Sequence, residues 1–67
     1  MKGIAYFERM VETKTRAGGA DASLAFIMSA GKDLGVLSRE EISAILDIRH
    51  TLHEMTVRID RALEGME

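Results

Sequence analysis

Asp47, His50, His53 and Glu54 are the residues of this chain whose types and spacing come nearest to a reactive or ligating site. Imidazole and carboxylate bind divalent metals, and His50 and Glu54, four apart, share one face of a helix. The order is Asp-x-x-His-x-x-His-Glu, not the His-Glu-x-x-His of a zinc hydrolase. Zinc takes three or four protein ligands, and the chain holds two histidines and no cysteine. The pattern is therefore that of a solvated polar face, and no metal or other cofactor is expected. Glu40, Glu41, Asp47, Glu54, Asp60 and Glu64 would need burial or pairing to act as general acids or bases, and nothing in the sequence forces either. Ser23, Ser29, Ser38 and Ser43 lack a Gly-x-Ser-x-Gly setting. Gly18 and Gly19 make too short a signal for a phosphate loop, and Asp21 would repel an anion there. No enzymatic activity is expected.

Two resemblances are partial. Residues 35–41 resemble the second half of an EF-hand loop, with Gly35 as the turn glycine and Glu41 as the bidentate ligand. Ala30, Lys32 and Leu34 stand where three oxygen ligands belong, which argues against calcium. Residues 30–46 resemble a helix-turn-helix. The would-be recognition helix opens Ser38, Arg39, Glu40, Glu41, and those carboxylates would face phosphates; Lys32 and Arg39 are the nearby cations. Helix capping accounts for the first pattern and a tight corner between two helices for the second.

The elements that position these residues are helices. Ser38 can cap a helix, Glu41 can complete a capping box, and Leu37 with Ile42 can form a hydrophobic staple. The spacing predicts a long helix over residues 39–64, with a heptad seam of Ile45, Ile48, Leu52, Met55, Ile59, Ala62 and Met66. Ile42, Thr56 and Leu63 widen that seam. Ser43, Asp47, His50, Glu54, Arg58 and Arg61 take the reverse face, and a weaker line runs through Leu46, His53 and Val57. Upstream, Ile4, Phe7, Met10 and Val11 predict a helix over residues 2–16, flanked by Tyr6 and supported by an i,i+4 pair of Glu12 and Arg16. Gly18 and Gly19 predict a turn. Asp21 then caps a second helix over residues 22–34, with Leu24, Ile27, Met28 and Gly31 on one face and Phe26, Ala22 and Ala30 on the other. Gly35 closes it in the left-handed conformation. Met10, Met28, Met55 and Met66 sit at core spacing and are expected to fill it.

The expected fold is all-α: two shorter helices and one long C-terminal helix, a helical bundle completed by self-association, with residues 1–67 as one small domain. A chain of 67 residues without cysteine has no disulfide or thiolate metal site to reinforce a small core. Association is the remaining remedy, most simply as a homodimer. The net charge of −2 builds no broad positive field, which argues against nucleic acid and anionic membranes. Glu8 and Arg9 interrupt the first apolar stretch before it makes a signal-peptide core, and no apolar run reaches the roughly 20 residues of a membrane span. The expected location is the cytoplasm. These features favour a small regulator, adaptor or inhibitor, host- or phage-encoded, that binds a protein target. Phe26, Leu46, His53 and Val57 are the expected interaction residues. The alternatives are a DNA-binding regulator using the helix-turn-helix-like corner and a metal or ligand binder using His50 and Glu54.

Overall fold

The capping box at Ser38 forms as its sequence predicts. The Glu41 amide donates to Ser38 Oγ at 3.1 Å, and the Ser38 amide donates to Glu41 Oε1 at 2.9 Å. Leu37 and Ile42, the staple residues, are both half-buried. Replacing Ser38 with Ala should cost about 1 kcal/mol and lower the melting temperature by roughly 4–8 °C, read by circular dichroism; an unchanged melt would show that the cap contributes nothing.

The protein, seen in a computed structural model, is described over residues 3–65. Among these it is all-helical and forms an antiparallel hairpin of two helices, α1 (Ile4–Leu34) and α2 (Arg39–Glu64). Residues 35–38 join them. Gly35, at φ 68°, closes α1: its amide donates to the Lys32 carbonyl, and the Val36 amide donates to the Gly31 carbonyl at 3.0 Å. This pair of bonds is the Schellman ending expected of a left-handed glycine. Leu37 then folds back onto Gly31, where a side chain on residue 31 would overlap it. Gly31 is accordingly buried and lets the corner close.

The expected count of three helices is wrong. Gly18 and Gly19 lie inside α1 with no break, and Asp21, expected to cap a second helix, is instead an interior residue of the first. Glycine raises the cost of a helix without forbidding it. Once α1 is continuous, its two apolar stretches join into one heptad row of Met10, Ala17, Leu24 and Gly31, flanked by Phe7, Lys14, Asp21 and Met28. All of these except Phe7 and Lys14 are buried or half-buried.

The seam of α2 is also shifted. Ile45, Leu52 and Ile59 are half-buried as expected, and so are Ile42, Thr56 and Leu63, which widen the seam, but Arg49 completes the row of these three. Ile48 and Ala62 are exposed, Met55 is half-buried beside the row, and Met66 lies outside the described residues, as does the predicted helix start at Lys2. The polar reverse face stands as expected: Ser43, Asp47, His50, Glu54, Arg58 and Arg61 are all exposed. Lys14 pairs with Asp60, and Arg49 with Asp21, across the hairpin. A charge at a seam position is tolerated where an opposite charge meets it.

Candidate interaction surface

With two helices, each has one neighbour, and the hairpin measures 50 × 15 × 14 Å. The consequence is a near absence of core. Among the described residues Ala17 alone is a buried hydrophobic, at 5 % exposure. Ile4, Phe26, Leu34 and Val36 are each at least 68 % exposed. Large apolar groups outside a core mark contact surfaces when they are contiguous.

The inner rows divide the hairpin into two long faces. In an antiparallel pair, positions preceding the seam on one helix flank those preceding it on the other. One face therefore carries Thr13, Ala20, Ile27 and Leu34 of α1 with Ile48, Met55 and Ala62 of α2. At the open end of this face Tyr6, Arg9, Met10, Thr13 and Ile59 line an apolar hollow of about 190 Å³. The other face carries Ile4, Val11, Gly18, Ala25 and Lys32 with Leu46, His53 and Asp60. A smaller hollow of about 110 Å³ opens there between Ala17, Gly18, Leu52 and His53. Charged and titratable side chains interrupt this second face.

The expected interaction residues divide between the helices. His53 and Val57 line one open hollow with Glu54, Arg58 and Arg61. Leu46, 48 % exposed, precedes His53 on the same side of α2. Phe26 stands on the outer side of α1 at 74 % exposure. Sequence reasoning missed the row of Thr13, Ala20, Ile27 and Leu34. Its signal is the seven-residue spacing, which is hidden when the helix is broken at Gly18 and Gly19.

Electrostatic control of the hairpin sits at Asp21 and Arg49. Arg49 Nε donates to Asp21 Oδ1 at 2.9 Å and Nη2 to Oδ2 at 3.4 Å, a forked contact. This hydrogen bonding holds the Asp21 carboxyl below its ordinary value of 3.8 and raises the Arg49 guanidinium. The folded value of Asp21 lies below the unfolded one, so its contribution to stability is present above pH 3.8 and is lost as pH falls through the folded value. Melts from neutral pH to below 3.8 should therefore show an acid-side fall that Asp21→Asn reduces. An identical acid profile in the variant would remove the pair from the account. Glu41, held down by the Ser38 amide and hydroxyl, adds a separate acid-side loss of the same sign.

His50 Nε2 lies 3.1 Å from Glu54 Oε1 on the exposed face. Among the described residues no group of three or more histidine or carboxylate side chains gathers to hold a metal, so the pair is a surface contact of the kind worth a few tenths of a kcal/mol. At the corner, Glu41 is tied to Ser38, while Arg39 and Glu40 are exposed. Among the described residues no helix is long and apolar enough to cross a membrane. Comparison with protein-family models, with curated proteins and with solved structures finds no match.

Proposed function

We propose that this chain is a non-catalytic protein-interaction module: a small helical regulator, adaptor or inhibitor that self-associates and docks on a protein target. The observation that supports this is the near absence of a core beside so many exposed apolar side chains. A domain this small has a stability of only a few kcal/mol, and each large side chain left in water forgoes roughly 1.5–3 kcal/mol of burial. Covering those side chains with other chains recovers that term. Phe26 is the candidate anchor for the target, because it is the bulkiest exposed side chain on the outer side of α1, away from α2.

The test compares the wild-type chain with Phe26→Ala. Sedimentation should show association in both, and capture from source-cell extract should yield one stoichiometric protein that the variant loses. A folded monomer at high micromolar concentration that captures no protein would overturn the reading. Sequence-selective duplex binding at nanomolar concentration would replace it with the DNA-binding alternative, against which the exposed Glu40 and the net charge of −2 argue.

A further inference from the structure

We infer that a second copy of this chain packs over the face formed by Ala20, Ile27 and Leu34 of α1 with Ile48, Met55 and Ala62 of α2. The two hairpins lie antiparallel about a two-fold axis at Ala20 and form a four-helix bundle. The inference deepens the reading of the chain as a self-associating module and rests on it.

Area carries the first part of the argument. A compact chain of 67 residues exposes about 4,200 Å², whereas this hairpin exposes 5377 Å². The excess is about 1,200 Å² per chain, or about 2,400 Å² for a pair, which falls within the range of obligate homodimers.

The pattern carries the second part. A helix in a four-helix bundle presents a third position beside its two seam positions, and that position must be apolar or small. On α1 this row is Tyr6, Thr13, Ala20, Ile27 and Leu34; on α2 it is Ile48, Met55 and Ala62. None of these side chains is charged. Glu41 would continue the α2 row at the corner, and its carboxylate is held in the Ser38 cap. The opposite face carries Lys32, His53 and Asp60 in the equivalent rows.

Symmetry selects the occupant. The two cross-helix ion pairs set Lys14 level with Asp60 and Asp21 level with Arg49. Ala20 therefore lies level with the stretch between Ile48 and Met55. One two-fold axis at that height centres both rows at once. Ala20 meets its own copy, Thr13 faces Ile27 of the partner subunit, and Tyr6 faces Leu34 of the partner subunit. On α2, Ile48 faces Met55 of the partner subunit. The small side chain at the centre lets the two α1 helices approach, and the large ones close the ends. A self-complementary patch of this kind is what an isologous dimer requires.

Ile48 and Leu46 give a matched test, being 50 % and 48 % exposed in the hairpin but on opposite faces. Sedimentation equilibrium of Ile48→Asp should show association weakened by about a hundredfold or more, because each copy would bury a charge. Leu46→Asp should stay within about threefold of wild type. Equal effects, or a larger loss in Leu46→Asp, would overturn the proposal, as would a folded monomer in the wild type. Should Ile48→Asp fail to fold, single cysteines in the cysteine-free chain decide the matter. Ala20→Cys should be joined into a covalent dimer by a short bismaleimide, and Ala22→Cys, exposed on the outer side, should not. The reverse result, or equal yields, would overturn the axis. Intact self-association in Ile48→Asp, with target capture retained, would sink this face and leave the interaction module standing. Lost target capture in Phe26→Ala bears on the module alone.

Discussion

Leu52→Asp is expected to abolish cooperative unfolding at room temperature. Leu52 sits in the middle of the inner row of α2 and lines a hollow with Ala17, the one buried hydrophobic among the described residues. The substitution removes a half-buried leucine, worth roughly 1–2 kcal/mol. It also sets a carboxylate against apolar surface, at a further 1–3 kcal/mol. Asp21 lines the same hollow, so the new charge would also repel the carboxylate that Arg49 now binds. A total of about 2–5 kcal/mol rivals the whole stability of a small domain. Far-UV circular dichroism should show reduced helix and a broad melt, while Asp47→Ala on the exposed face should move the midpoint by no more than the roughly 0.5 kcal/mol of an ordinary surface change. A parent-like cooperative melt for Leu52→Asp would mean that the helices do not meet along this row.

The double variant Gly18→Ala, Gly19→Ala should have the opposite sign. Both glycines are helical, and a methyl group at either would have no neighbour within 4 Å. Alanine in an exposed helix interior is favoured over glycine by about 1 kcal/mol per site, through helix propensity and a less flexible unfolded chain. The pair should raise the melting temperature by roughly 10 °C in a domain of this size. If these residues formed a turn between two short helices, the same change would destabilise the protein, because the chain would lose the freedom such a turn requires. The sign of the shift therefore distinguishes the hairpin from a three-helix arrangement.

What was legible in the sequence was local. The capping box of Ser38 and Glu41, the glycine ending at Gly35, the bounds of α2 and its polar face all follow from interactions within a few residues of each other. So does the Glu12–Arg16 pair, with Arg16 Nε 2.9 Å from Glu12 Oε1. The proposed interaction residues were read only as groups without cover on their own helix. That signal reaches Phe26 and Leu46 but does not say which face is continuous across both helices.

Lys14, Asp21, Arg49 and Asp60 show where the sequence by itself stops. Lys14, Asp21 and Arg49 each interrupt an inner row, so hydrophobic spacing alone moves the α2 seam onto Ile48 and Met55, while the glycine pair at residues 18 and 19 reads as a turn. In the folded hairpin the four charges neutralise one another in two pairs that join residues far apart in the chain. A heptad row can then run straight through them. The helical class, the caps and the corner were determined by neighbours along the chain, whose energies are set before any packing occurs. Whether α1 breaks at its glycines, and which residues of α2 face inward, was decided only by tertiary contact. The glycine pair stays helical where the stretches on either side of it pack on one neighbour, and Arg49 faces inward where Asp21 meets it; each is a property of two helices together.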